Sequence, residues 1–136
     1  MNNDIDYLKQ AIAIGNQVSA PYNFGAVVVV DGEVVASEYG HVFENNNPSL
    51  HAEVSAITAA CERLGKYQLE RATLYSSHEP CAMCFYCAFW AHIDRIVFAN
   101  PASEQDSSMY ELRNMDIFEL SKRLTRPMAI DQLTVN

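Results

Sequence analysis

The chain has 136 residues and a net charge of −8, and 49% of its residues are hydrophobic. That length fits one domain, 1–136, with one sizeable core, and that apolar content excludes a disordered chain. Nine Lys and Arg against 17 Asp and Glu argue against a nucleic-acid partner, because phosphate neutralisation needs basic side chains.

The first twenty residues, "MNNDIDYLKQAIAIGNQVSA", show no basic n-region, no continuous apolar stretch and no cleavage site, so they do not read as a signal peptide. No apolar run approaches the length needed to span a bilayer. The expectation is a cytoplasmic protein without a membrane partner. Ile5, Leu8, Ile12 and Gly15, with Ala11 beside them, predict a helix over residues 4–18. Asn2, Asn3 or Asp4 caps it and "SAP" ends it. "GAVVVV" predicts a buried strand, "DGE" a tight turn, and "VVASEYG" the second strand of a hairpin. "FENNNPS" is expected to be a loop. Val54, Ile57, Cys61 and Leu64 fall at helical steps and predict a helix over residues 51–64, ended by Gly65. "ATLYSS" is a third strand. Pro80 opens a helix over residues 81–91 that is apolar nearly all round and therefore buried. "RIVFAN" is a fourth strand, residues 107–124 predict one or two short helices, and "MAIDQLTV" is a last strand. Strands alternating with helices after an initial hairpin predict an α/β chain, folded as a three-layer α/β/α domain with a mixed five-stranded sheet.

Four cysteines fall within 27 residues, three of them in "HEPCAMCFYC". A reducing cytosol disfavours a structural disulfide and leaves metal or catalytic chemistry. A catalytic zinc site takes three protein ligands, and His51, Cys81 and Cys84 supply three for Zn2+. Cys81 and Cys84 lie one turn apart at a helix start, where the positive dipole end favours thiolate. Glu53 needs a particular geometry. On a regular helix, positions 51 and 53 point about 200° apart, so they converge only on a metal lying off the helix end. The bland readings are that a CxxC in a buried helix is often core and that a lone HxE carries little information. The combination HAE and then PCxxC, each at a helix start, is the zinc deaminase signature. Cys61 and Cys87 are assigned to the core.

At these residues the chain resembles the cytidine deaminase-like zinc deaminase superfamily, and within it bacterial guanine deaminase. The likeness covers about residues 5–135 and rests on "NFGAVVVVDG", "NPSLHAEVSAI", "LGKYQLERATLYSSHEPCAMC", "FWAHIDRIVFA" and "DSSMY". It implies that His51, Cys81 and Cys84 hold zinc and that Glu53 shuttles protons. It implies that Phe24 lines the base pocket, that the backbone N–H of Ala52 faces the substrate, that Trp90 lies beside the pocket and that Asp106 contacts the base. Three departures stand out. Gly40 occupies the place of the family's asparagine, His78 replaces a small or thiol side chain, and the chain stops at Asn136 where guanine deaminases continue.

The resemblance implies hydrolytic deamination of a free nucleobase or related amino-heterocycle, a guanine-like purine being favoured, with release of ammonia by a homodimer. Three rivals stand beside it. A tRNA adenosine deaminase shares the motif but should carry a basic face. A cytosine, cytidine or deoxycytidylate deaminase shares it too, yet loops 41–50 and 100–110 contain no Lys or Arg for a nucleotide's phosphate. A non-catalytic zinc-stabilised module would want a fourth ligand, such as Cys87.

Overall fold

The run "GAVVVV" forms strand β1, Gly25–Val30, and is buried along nearly its whole length. Its alternate side chains serve two cores. Val27 and Val29 pack with Leu8 and Ala11, while Ala26 and Val28 pack with Ala56, Ala60 and Phe85. A strand covered on both faces reads as continuous apolar sequence, which is why this one was legible.

The computed structural model describes residues 3–105, 107–110 and 115–136. The elements in chain order are α1 (Asp4–Gly15), β1, β2 (Glu33–Tyr39), α2 (Val42–Asn45), α3 (Ala52–Leu64), β3 (Ala72–His78), α4 (Ala82–Trp90), β4 (Arg95–Asn100), α5 (Ile117–Leu120) and β5 (Ala129–Gln132). The expected mixed five-stranded sheet forms in the order β2-β1-β3-β4-β5. β1 is antiparallel to β2 and β3, whereas β3, β4 and β5 run parallel. Residues of α1 belong to one core, and residues of α3, α4 and α5 to the other, which gives the three layers. Asp31 and Gly32 both take positive φ, 49° and 78°, the primed turn that matches hairpin twist.

Four expectations shift. The first helix stops at Gly15 rather than 18, because its end is pressed against the chain entering β1: a Cβ on Gly15 would lie 2.7 Å from Gly25 N. The segment expected as a loop contains α2, closed by Asn46 in the left-handed region. α3 is buried through the small residues Ala52, Ser55, Ala56 and Ala60 with Ile57, while Leu64 is exposed. Small side chains let the helix lie close to the sheet, so the larger apolar residues on its flank are only partly covered. β5 is four residues long instead of spanning 128–135.

The buried face of α1 includes a charge. Asp4 is 5% exposed and accepts a hydrogen bond from Tyr75 Oη at 2.6 Å. Arg95 donates to both Asp4 oxygens at 3.0 and 2.8 Å, and its Nε donates to Asp131 at 2.8 Å. This clasp joins α1, β3, β4 and β5. Removing one partner of a buried pair leaves an uncompensated charge. Arg95→Met is therefore expected to lower the unfolding free energy by about 2–4 kcal/mol, less than a fully buried pair because Arg95 is partly exposed. A denaturant midpoint unchanged from the parent at equal m-value would refute the clasp.

Candidate active site

Three chain segments converge at the carboxyl end of β3. The first is the start of α3, the second the start of α4, and the third the approach to β1. His51 is the N-cap of α3, with φ −59° and ψ 164°, and Cys81 is the N-cap of α4, with φ −73° and ψ 171°. Neither side chain caps its own helix. They turn toward each other instead. His51 Nδ1 lies 3.7 Å from Cys81 Sγ and 3.6 Å from Cys84 Sγ, and the two sulfurs are 3.7 Å apart.

These distances test whether a zinc ion fits. Zn–S bonds near 2.3 Å and Zn–N bonds near 2.05 Å at tetrahedral angles place two sulfurs about 3.8 Å apart and nitrogen about 3.6 Å from sulfur. The triad has that spacing. Cys84 is buried, Cys81 half-buried and His51 exposed, so the fourth position opens to the outside. Among the described residues this is the one His/Cys/Asp/Glu group so placed, and Cys87 is not part of it. Cys87 and Cys61 pack against the core, as expected.

The two thiols share one proton. The hydrogen bond from Cys84 pulls the Cys81 pKa down to about 4. The same bond, with burial, pushes Cys84 well above its ordinary value. Two sulfurs this close cannot both ionise without a cation beside them, and a thiolate pair is what zinc selects.

Glu53 is 7% exposed at the second position of α3. The converging geometry that positions 51 and 53 require is present, because His51 stands before the helix rather than in it. Burial, and then the Cys81 charge, push the Glu53 pKa up to about 7. Ser76 Oγ donates to His78 O at 2.6 Å and lies 3.3 Å from Glu53 Oε2.

His51, Cys81 and Glu53 line a cleft of about 530 Å³, with Cys84 buried behind them. Phe24 and Ala52 line it, and so does Gly40. A Cβ at Gly40 would sit 3.4 Å from Leu50 O and 3.6 Å from Ala52 N, ordinary contact, so the glycine leaves room without being required by the backbone. His78 supports Phe24 edge-on, with ring centroids 4.6 Å apart. Gly25 N donates to Ser77 Oγ at 2.9 Å, so the serine hydrogen is left for His78 Nδ1 at 2.7 Å and the imidazole proton sits on Nε2. Burial lowers the His78 pKa and keeps it neutral. His41 hydrogen-bonds Glu38 at 2.8 Å and Glu44 at 2.6 Å, which ties α2 to the end of β2.

Trp90 is not brought to the cleft. It is 71% exposed at the far end of α4, roughly 13 Å along the helix from Cys81 at 1.5 Å per residue. Asp106 lies outside the described residues. Sequence reasoning missed Tyr22, Phe43, Glu79 and Tyr110, which also line the cleft. The signals available were the aromatic of "PYNFG", the Glu of "EPC" and the Tyr of "DSSMY".

Residues 1–100 match the model of the cytidine and deoxycytidylate deaminase zinc-binding region. Guanine deaminase of Bacillus subtilis is 41% identical over 96 residues, covering 68% of this chain and 62% of that protein. A tRNA-specific adenosine deaminase of Aquifex aeolicus is 39% identical over 75 residues, 55% of this chain and 50% of that one. The chain thus spans about half to three fifths of these relatives. The crystal structure of Bacillus subtilis guanine deaminase superposes with a TM-score of 0.71 at 35% identity, over 93% of this chain and 79% of that one.

Proposed function

The chain belongs to the cytidine and deoxycytidylate deaminase zinc-binding family, and from that premise we propose that it hydrolyses the exocyclic amine of a free nucleobase or related amino-heterocycle, a guanine-like purine being favoured. The observation that carries this reading is the cleft itself. His51 and Cys81 of the metal triad, the buried carboxyl of Glu53 and an aromatic face share one space, and Glu79 is the other acidic side chain in its lining among the described residues. Among the described residues the lining holds two carboxyl side chains and no Lys or Arg, which suits a neutral ring with N–H donors better than a phosphate.

His51, Cys81 and Cys84 would hold the zinc ion, which would supply Lewis acidity for activating water. The residues do the rest. Glu53 takes one proton from the attacking water and gives it to the ring nitrogen, then takes the second from the hydroxyl so formed on the ring carbon and passes it to the leaving amine as the carbon–nitrogen bond breaks. The water oxygen ends on the ring carbon and the nitrogen leaves as ammonia. Phe24, braced by His78, stacks against the ring and holds the carbon bearing the amine toward the triad. The Ala52 N–H, at the start of α3, is the donor for a ring heteroatom.

A homodimer is part of this reading. Tyr86 and Trp90 stand one turn apart on α4, 37% and 71% exposed, an apolar face suited to a second copy. Sedimentation as a monomer by the zinc-loaded protein would remove that face as an interface.

The test is an ammonia-release screen over guanine, other aminopurines, pterins, aminotriazines, cytosine, cytidine, deoxycytidylate and a transfer RNA. Turnover of at least one free base, with deoxycytidylate and transfer RNA far slower, is the expected outcome. Efficient turnover of transfer RNA or deoxycytidylate with none on any base would overturn the substrate class and leave the family chemistry standing.

A further inference from the structure

Glu79 stands two residues before Cys81, between the end of β3 and the start of α4. All its kinds of polar group are engaged. Its N–H donates to Asn100 O at 2.9 Å, continuing the ladder beyond the His78–Asn100 pair. Its carboxylate Oε1 accepts from Ala102 N at 3.0 Å. Its carbonyl accepts from Tyr110 Oη at 2.8 Å. The last residue of β4 and two positions of the stretch that follows it, Ala102 and Tyr110, are therefore tied to one residue beside the metal cysteines. Met109 and Tyr110 of that stretch line the cleft together with Phe43 and Gly40.

The bonds are of a kind that lasts. The one from Ala102 is to a carboxylate, about twice as strong as a neutral pair. Burial, and then the field of Glu53 and Glu79, raise the Tyr110 phenol and keep it protonated as a donor.

We propose that Glu79 is a positioning residue: by tethering Ala102 and Tyr110 it sets the wall that closes the substrate cleft on the side of β4, and so sets substrate affinity. The inference rests on the proposed deaminase reading for its kinetic readout only. The carboxylate, placed next to the ligand pair, makes one structural unit of the metal cysteines and the wall. Glutamine retains a side-chain carbonyl for Ala102, and alanine does not.

The experiment pairs amide hydrogen exchange with kinetics on Glu79→Ala, Glu79→Gln and Tyr110→Phe, all zinc-loaded and intact. In Glu79→Ala, exchange at Ala102 is expected to quicken about tenfold or more, from loss of one charge-assisted hydrogen bond. KM for the best base of the screen rises about tenfold on the same footing, with kcat within about threefold and zinc content unchanged. Glu79→Gln recovers most of both effects. Tyr110→Phe raises KM while leaving the Ala102 amide protected. Parent-like exchange and KM in Glu79→Ala would overturn the proposal, as would a fall in kcat at constant KM, which would place Glu79 in the chemistry. If Glu79→Ala fails to fold, Tyr110→Phe decides alone, because it removes one hydroxyl, and a parent-like KM there overturns the wall. If the parent turns over no base, the deaminase reading fails, and exchange at Ala102 still decides the tether.

Discussion

Glu53→Gln is expected to fold and bind zinc like the parent and to lose about a hundred- to ten-thousandfold in turnover, the range for a general acid–base group. The amide keeps the shape and an oxygen that can accept from the Ser76 hydroxyl, 3.3 Å from the carboxylate. It cannot carry a proton between water, ring nitrogen and leaving amine. Its effect on stability should have the opposite sign. The carboxyl is buried against its charged form and faces the Cys81 thiolate, which is why its pKa is pushed up to about 7. A neutral amide removes that repulsion in the metal-free protein, so the apo variant should unfold no earlier than the apo parent. This is the usual conflict between function and stability at an active site. Ammonia release, zinc content and thermal unfolding measured on one preparation check all three points. Near-parent ammonia release would end the proposed role of Glu53.

Cys81→Ala and Cys84→Ala are each expected to reduce zinc from about one per chain to near zero, since two remaining ligands do not hold a tetrahedral ion. Cys87→Ala should retain it. The reason lies in the distances. Cys81, Cys84 and His51 meet within 3.6–3.7 Å, whereas Cys87 is one turn further along α4 and packs into the core. The two ligand variants should also lose the stabilisation that metal binding lends to the folded state, about 4 kcal/mol at free zinc a thousandfold above Kd. Chelation of the parent should lower its melting point by a similar free energy, and Cys87→Ala should respond to chelator as the parent does. Metal loss from Cys87→Ala, or zinc retained by Cys84→Ala, would show that the ligand set is wrong.

The departures between sequence reading and structure share a pattern. The face of α3 was read from Val54, Ile57, Cys61 and Leu64, yet the buried positions are mostly alanines and a serine. Apolar size drove that reading, while close packing against a sheet selects small side chains. α1 was read to residue 18, yet a close approach of two backbones at Gly15 and Gly25 stops it earlier. Trp90 was carried to the cleft by resemblance, and the direction of α4 carries it away, to an exposed end of the helix.

What the sequence determined by itself is the chemistry of the metal centre. Ligand type, the thiolate-favouring helix start and the spacing of Cys81 and Cys84 are local properties, written within a few residues of one another. The buried double-sided strand and the DG hairpin are local in the same sense. Only the tertiary structure decided the rest. Arg95 finds Asp4 across 91 positions, and Tyr110 finds Glu79 across 31. Hydrophobic periodicity reports which face of an element is buried. It does not report which distant polar group will complete that face. That depends on how the strands are ordered in the sheet, and the order β2-β1-β3-β4-β5 brings His51, Cys81 and the wall after β4 to one end of it.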